Sequence, residues 1–143
     1  MSAEFVDTNI HIYSQDATAG DKHTTACALV ARIFEERTGV TSIQVLCEFY
    51  AVTTGKARHR ITAANALQAI EDIAQWRVHE PSVANVRRAI DRSVRYTMSF
   101  WDAMVIESAI AMDCSVLWTE DLQHNAVHDG VRIRNPFIKG ERI

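Results

Sequence analysis

The 143-residue chain has no apolar run approaching the length of about 18 residues that marks a membrane-spanning helix. Its N-terminus shows no basic segment followed by an apolar stretch, so no secretory signal is visible. The three cysteines are an odd number without a CxxC spacing. This argues against a disulfide framework and favours free thiols in a reducing compartment. We therefore expect a cytoplasmic protein that makes no contact with a membrane.

The chain also lacks a positive net charge, an internal repeat and any low-complexity segment. The formal net charge is −3, so no global basic field indicates a nucleic-acid partner, and such contact would require local patches or a metal ion. Apolar residues make up 48% and charged residues 23%, which is ordinary for a globular protein. At this length we expect a single domain over residues 1–143.

Short apolar segments alternate with segments that carry apolar residues at helical spacing. Strands are predicted at residues 5–6, 40–41, 76–79, 115–118 and 131–133. Strands that alternate with helices favour parallel pairing through right-handed crossovers. The sequence therefore predicts an α/β fold with three layers, α/β/α, in which a central, mainly parallel sheet is flanked by helices.

Local signals predict where several helices begin and end. Thr41 followed by Gln44 matches a capping box, Asp21 is a candidate N-cap, and Gly39 fits the end of the helix that Asp21 begins. Ser82 is a candidate cap for a helix with two chemically different faces. One face carries Val83, Val86, Ile90 and Val94, and the other carries Arg87, Arg88, Arg92 and Arg95. We expect the arginine face to be solvated.

Four carboxylates occupy positions of special interest. Asp7 and Asp121 each follow an apolar strand, and in a parallel sheet both would emerge at the edge where open α/β sheets build their sites. Glu48 and Asp102 lie on predicted helices that are otherwise apolar. An isolated buried carboxylate is costly, so each must be paired, neutral or turned toward a cleft.

Each of these four residues also has a structural explanation. Asp7 or Thr8 can cap the helix that follows, and Asp102 can complete a helix cap. The charge of Asp121 can interact favourably with the dipole at the N-terminus of a short helix. Glu48 can pair with a buried arginine. All four together are harder to explain in this way. Clustered oxygen ligands favour Mg²⁺ or Mn²⁺, and such an ion can activate water to attack a phosphodiester.

Two other classes of protein place an aspartate after the first strand. An aspartyl-phosphate phosphatase usually has a second aspartate two residues further on, where this chain has Asn9. A receiver domain needs an acidic pair before its phosphoacceptor strand and a lysine after a late strand, and neither is evident. Metal-dependent nuclease chemistry is therefore the favoured class.

Four short segments resemble the motifs of PIN-domain ribonucleases, and together they span essentially the whole chain. They are VDTN at residues 6–9, VLCEF at 45–49, FWDA at 100–103 and LWTEDLQH at 117–124, followed by a closing NPF at 135–137. The compact size resembles the VapC toxins of type II toxin–antitoxin pairs. A PIN-like fold, RNA cleavage dependent on Mg²⁺ or Mn²⁺, homodimerisation and inhibition by a small VapB-like antitoxin are what this resemblance implies.

The resemblance also assigns roles to individual residues. It implies that the acidic quartet, defined as Asp7, Glu48, Asp102 and Asp121, binds the metal and carries catalysis, with Thr119 and Asn9 in support. The alternative is a PIN-like scaffold with little catalytic power that binds protein or RNA. An unused acidic cluster would be a repulsive burden, which argues against that alternative.

Three further features have both a functional and a structural interpretation. Lys56, Arg58 and Arg60 lie in a basic loop that can contact RNA phosphates or can simply be solvated. The helix that begins at Asp21 and the one that begins at Ile43 are candidates for a dimer face. The three tryptophans are predicted to lie in the core or in an interface, and they are Trp76, Trp101 and Trp118.

Overall fold

The computed structural model of the protein describes residues 2–56 and 60–143. The strands are β1 Ala3–Val6, β2 Gly39–Ser42, β3 Arg77–His79, β4 Cys114–Trp118, β5 Val127–His128 and β6 Val131–Arg134. The helices are α1 Thr8–Gln15, α2 Asp21–Glu36, α3 Ile43–Ala51, α4 Ala63–Ile73, α5 Val83–Tyr96 and α6 Phe100–Ala111. In this part of the chain no helix has the length and apolar content needed to cross a membrane.

The strands form one sheet in the order β3-β2-β1-β4-β6-β5. Neighbouring strands run parallel, except that β5 is antiparallel to β6. From the central β1 the chain builds β2 and β3 on one side and then crosses to β4 on the other. The carboxyl ends of β1 and β4 therefore border a topological switch point, which is where open α/β sheets place their sites.

Side chains that alternate along β1 and β4 separate two apolar cores. Phe5 and Leu117 belong to a core that α6 covers, whereas Val6 and Trp118 belong to a core that α1 and α2 cover. This alternation follows from the two-residue period of a strand. The sheet thus lies between two layers of helices, and the predicted α/β/α architecture is confirmed.

Two of the predicted helix caps are wrong by one residue. Ser42, not Thr41, caps α3, because β2 continues through residue 42 and the Ser42 Oγ accepts a hydrogen bond from the Val45 amide at 3.3 Å. Gly20 precedes α2 as its N-cap, and Asp21 is already the first helical residue. The short helix predicted after Asp121 is also absent, since residues 120–125 form bends and a turn.

Gly39 does not end a helix. The C-terminus of α2 is capped by Arg37 in the left-handed conformation with φ 58°, and Gly39 begins β2. Its lack of a side chain serves packing, because a Cβ atom at this position would lie 2.3 Å from Cδ2 of Trp76. The indole of Trp76 therefore covers the backbone of β2 directly.

The predicted solvation of the arginine face of α5 is wrong for Arg92. This side chain is buried between α5 and α6, and its Nε lies 2.9 Å from a Glu107 carboxylate oxygen. Its Nη2 lies 2.5 Å from a carboxylate oxygen of Asp129. A buried guanidinium is tolerable when carboxylates pair with it in this way.

Burial of Arg92 leaves an apolar stripe of α5 facing solvent. The residues that α5 buries are Asn85, Ala89 and Arg92. On the opposite side Val83 is 66% exposed, Ile90 51% and Val94 76%. Branched aliphatic side chains in one exposed row are unusual on a protein surface without a partner.

Candidate active site

Asp7 leaves the end of β1 and caps α1 at the same time. It has extended backbone angles, and its Oδ1 accepts a hydrogen bond from the Thr8 amide at 2.7 Å. Its Oδ2 accepts a hydrogen bond from the Thr119 hydroxyl at 2.8 Å. Asp7 can therefore cap the helix and belong to the site at the same time, because Oδ1 caps α1 and Oδ2 contacts Thr119.

Thr119 ties the ends of β1 and β4 together. Its fully buried hydroxyl donates to Asp7 and accepts a hydrogen bond from the Asp121 amide at 3.1 Å. The Asp7 amide also donates to the Trp118 carbonyl at 3.0 Å. Asn9 donates from Nδ2 to an Asp121 carboxylate oxygen at 3.2 Å. The two predicted supporting residues, Asn9 and Thr119, thus lie directly against the acidic quartet.

Glu48 faces this point from α3. Its Oε2 accepts a hydrogen bond from the Thr8 hydroxyl at 2.9 Å, and its Oε1 accepts one from the side-chain Nε2 of Gln44 at 2.9 Å. These are the hydrogen bonds that the structure gives Glu48, and they replace the arginine considered from the sequence. The spacing of four residues between Gln44 and Glu48 on one helix is a signal that could have revealed Gln44. Nothing local indicated that Thr8 would reach Glu48.

Asp102 lies in the first turn of α6, where its amide donates to the Ser99 hydroxyl at 3.0 Å. Ser99 therefore caps α6 through the backbone amide of Asp102, and the reciprocal contact that the Asp102 side chain would add is not among the hydrogen bonds of the described residues. Asp102 and Asp121 line one cleft of about 440 Å³, which we call the second cleft. The four members of the acidic quartet accordingly converge on the switch point from β1, α3, α6 and the loop after β4.

Burial and mutual repulsion set the electrostatics of the quartet. Burial raises the pKa of Asp7 to about 6; the charges of Asp121 and Glu48 add to that rise, and the hydrogen bonds from Thr119 and Thr8 oppose it. The pKa of Asp121 is also raised, first by burial and then by nearby carboxylates that include Asp102. A divalent cation would relieve this repulsion.

The fit of the quartet to such a cation is good in chemistry and incomplete in geometry. Every candidate ligand is a carboxylate oxygen, which suits Mg²⁺ or Mn²⁺. Among residues 2–56 and 60–143, however, no group of three His, Cys, Asp or Glu side chains is close enough to hold a metal by itself. Since Mg²⁺ typically keeps several waters and takes one or two carboxylates, part of the quartet would bind through water.

The predicted RNA-binding loop falls partly outside the described residues. Arg58 lies there, so its prediction has no structural counterpart. Lys56 is the last residue of a π-helical turn, Val52–Lys56, and Arg60 is exposed beyond the gap. The phosphate-contacting role of this loop stays a prediction.

The fold and the site together define a class of protein. It is the class of α/β/α proteins that have an acidic candidate metal site at the switch point of the sheet. Residues 5–129 match the family model described as the PIN domain, and the chain belongs to this family.

Among solved structures, the chain is similar to Mycobacterium tuberculosis VapC20, described as a sarcin–ricin loop cleaving toxin, with a TM-score of 0.61 and 26% identity over 80% of this chain and 87% of that one. No curated protein matches the sequence. The prediction of a VapC-like PIN-domain ribonuclease is confirmed at the level of family and fold.

Proposed function

We propose that this chain, as a single PIN domain over residues 1–143, is an endoribonuclease dependent on Mg²⁺ or Mn²⁺ and the toxin of a VapBC-type pair. The observation that carries the proposal is the convergence of four carboxylates at the switch point of a VapC-like fold. Burial, with a further contribution from the charges of Asp121 and Glu48, raises the pKa of Asp7 to about 6, and a cation there would offset both effects. Nucleases of the PIN family generally use divalent metal ions, and VapC20 is an RNA-cleaving relative in structure.

The residues divide the work as follows in this proposal. Asp7 and Asp102 bind the main ion directly or through water, and Glu48 supports it and orients the attacking water. Asp121 completes the site, while Thr119 and Asn9 hold Asp7 and Asp121 in place through the hydrogen bonds described above. The ion, when bound, lowers the pKa of water and stabilises negative charge on the phosphodiester.

Hydrolysis of RNA with added Mn²⁺ tests the proposal. Asp7→Asn and Asp102→Asn are each expected to reduce the rate by more than about 100-fold, since removal of a ligand should exceed the loss caused by changes around ligands. Asp72→Asn on α4 is the matched control and should cleave normally, because the exposed Asp72 carboxylate accepts a hydrogen bond from Gln68 on its own helix. Undiminished cleavage by both quartet variants would sink the assignment.

Metal binding separates this proposal from the alternative of a scaffold that binds without catalysis. Calorimetric titration with Mn²⁺ should show saturable binding to the wild type and weakened binding to Asp102→Asn. A chain that binds no Mn²⁺ would favour the scaffold. Co-expression with the product of the neighbouring reading frame tests the VapB-like antitoxin, which should copurify with the chain and suppress its cleavage of RNA.

Homodimerisation is also part of the proposal, and the structure favours α5 for the interface over the α2 and α3 surfaces considered from the sequence. The exposed stripe of α5 consists of Val83, Arg87, Ile90 and Val94. Its spacings of four, three and four are the same in either direction. If α5 of a second copy packs antiparallel to this stripe, Val83 lies opposite Val94 of the second copy and Arg87 lies opposite its Ile90. Each pair occurs twice because the arrangement is symmetric.

Charge complementarity supports a second copy as the occupant of this stripe. Within the described chain Arg87 takes part in no ion pair, and the same pairing brings it beside Asp91 of the second copy. Asp91 is paired with Arg95 on its own helix at 3.1 Å, with both side chains about two-thirds exposed. Such a surface pair contributes little, so Asp91 remains open to a second cation.

A further inference from the structure

We propose that two exposed aromatic side chains, Trp101 and Tyr96, stack on unpaired bases on either side of the scissile phosphate. The site would then select single-stranded or looped RNA over duplex RNA. This inference rests on the proposed nuclease function, because it takes the acidic quartet as the place where the phosphodiester is held.

The first aromatic position is Trp101, at the start of α6 and next to Asp102 in sequence. It is 62% exposed, whereas Trp76 and Trp118 are 9% and 0% exposed. Trp101 is therefore not part of the core of this chain, and its place in an interface stays a prediction. An indole gains much from burial, so one left in solvent beside a candidate site indicates that a ligand covers it.

The surroundings of Trp101 connect it to the quartet. Together with Gln44, Cys47, Glu48 and Ala51 it lines a cavity of about 550 Å³, which we call the first cleft. The side-chain Nε2 of Gln44 lies 3.3 Å from the backbone carbonyl oxygen of Trp101 and 2.9 Å from Oε1 of Glu48. The Phe100 ring packs edge-on against the indole with ring centroids 5.1 Å apart. These contacts anchor the backbone at Trp101 beside Glu48 and leave one side of the indole supported by Phe100.

The second aromatic position is Tyr96, at the end of α5. It is 50% exposed and lines the second cleft, where Asp102 and Asp121 also lie. His128 packs edge-on against its ring at 5.1 Å between centroids, and the Arg92 guanidinium lies 5.6 Å from the ring centroid. The buried Arg92 thereby holds the phenol ring at the rim of the second cleft.

The placement of the two clefts favours nucleic acid over a protein segment as the occupant. Each contains an exposed aromatic ring and at least one member of the quartet: Glu48 in the first and Asp102 and Asp121 in the second. A strand whose phosphate lies at the quartet would carry one base toward each cleft. Aromatic rings stack on any base face, but duplex pairing withholds those faces, and proteins therefore recognise unpaired RNA in this way.

Tryptophan fluorescence provides a test that does not depend on cleavage. The Asp7→Asn variant, in Mg²⁺, is titrated with a short unpaired oligoribonucleotide and with the same sequence closed into a duplex. We expect the unpaired RNA to quench fluorescence saturably and to bind about 10-fold or more tightly than the duplex. In this background Trp101→Ala should abolish the quench and weaken binding by about 10-fold or more, whereas Trp101→Phe should keep most of the affinity.

Variants at Tyr96 keep the second position testable. Tyr96→Phe should bind normally, and Tyr96→Leu, which fills similar space without an aromatic face, should bind unpaired RNA less tightly. Tyr50→Ala is the matched control, because Tyr50 is 42% exposed on α3 and lines neither cleft. In the otherwise wild-type chain the losses should appear in KM for unpaired RNA more than in kcat.

The outcomes separate this inference from the proposed function. Cleavage that is insensitive to Trp101→Ala and Tyr96→Leu overturns the stacking positions and leaves the nuclease standing. If unpaired RNA quenches the fluorescence but the wild-type chain does not cleave RNA, the stacking positions are supported and the proposed nuclease function is contradicted. Equal quenching by duplex overturns the inference, as does a chain that binds no RNA but self-associates through Trp101, since the first cleft would then be a protein contact.

Discussion

At the scale of single residues, Asp7 shows how one carboxylate can serve the fold and the site. Oδ1 caps α1, and Oδ2 accepts the Thr119 hydroxyl that connects it to Asp121. From the sequence, capping and metal binding competed as explanations of this residue. The geometry removes the competition, because the point where a strand gives way to a helix is also the edge of the sheet.

The raised pKa of Asp7 predicts an effect of Asp7→Asn on stability. The folded chain holds a proton on Asp7 up to about pH 6, whereas the unfolded chain loses it near 3.8. Between these values the native state binds more protons, so stability falls as pH rises. The full effect, about 3 kcal/mol, is reached above pH 6. Asp7→Asn should therefore raise the Tm of the metal-free protein at pH 7.5.

The dependence on pH distinguishes this electrostatic effect from simple repacking. The gain from Asp7→Asn should shrink as pH falls through 6 and vanish only below the unfolded-state pKa of 3.8, where the wild-type carboxyl is protonated in both states. Adding Mn²⁺ should stabilise the wild type more than the variant. A variant that is less stable than wild type at pH 7.5 without metal would contradict the cost of a buried charge at Asp7 that we infer.

Residue types and their order were enough to place the quartet, but its hydrogen-bond partners were not all accessible. Asp7, Glu48, Asp102 and Asp121 were found because strand ends and apolar helices make carboxylates conspicuous. Thr8 was assigned only to capping, although its hydroxyl reaches Glu48 across 40 positions of sequence. Such a contact depends on how α1 and α3 cross, which no local pattern specifies.

At the scale of elements, α5 shows why an amphipathic pattern does not reveal which face is inward. Periodicity marks two faces and assigns the apolar one to the core by default. Here Glu107 on α6 and Asp129 before β6 supply the charges that Arg92 needs. The polar face can therefore turn inward, and three aliphatic residues remain outside. The deciding residues are on other elements.

The buried pair of Arg92 and Glu107 predicts an asymmetric mutational response. Arg92→Met should destabilise the fold by about 3–5 kcal/mol, because Glu107, only 4% exposed, would lose its closest cation. Replacing both residues with methionine should recover most of that loss, since no buried charge is left unpaired.

Chemical denaturation of Arg92→Met, Glu107→Met and the double variant measures the coupling between Arg92 and Glu107. Arg95→Met is the control, because its ion pair with Asp91 is exposed and surface pairs of this kind contribute little. Equal destabilisation by Arg92→Met and Arg95→Met would contradict the structural role assigned to Arg92.

Element boundaries were less predictable than element order. Strand β2 extends through Ser42, so the cap moves one residue beyond the Thr41 that the capping box indicated. Gly39 was assigned to a helix end because glycine is common there. The indole of Trp76, 37 residues further on, is what requires glycine. Both misjudgements arise because tertiary packing outweighs a local preference.

At the scale of the whole molecule, topology was the most predictable property. Alternation of strands and helices implies parallel pairing, and parallel pairing brings the ends of β1 and β4 to one edge. The register of β1 and β4, with Val6 opposite Trp118, then sets Asp7 beside Thr119. The site follows from the fold, whereas the surface that meets a partner does not, since the sequence pattern favoured a solvated arginine face of α5 and did not mark Val83, Ile90 and Val94 as exposed.

The exposed stripe of α5 predicts a dimer that charge on this helix can dissociate or restore. Val94→Glu should give a monomer by sedimentation equilibrium, because it places two carboxylates, each opposite a Val83, in the apolar contacts of the proposed dimer. Leu67→Glu on α4 is the matched control, since Leu67 is 54% exposed and lies on another helix. This variant should associate as the wild type does.

A charge exchange tests the antiparallel arrangement itself. Arg87→Asp should weaken association by placing like charges together, and the double variant Arg87→Asp/Asp91→Arg should restore it by reversing both signs. Because the single variant removes no apolar contact, recovery in the double variant would indicate that residues 87 and 91 meet across the interface. Dimers that tolerate both Val94→Glu and Arg87→Asp would place the interface elsewhere and leave the apolar stripe of α5 to a different partner.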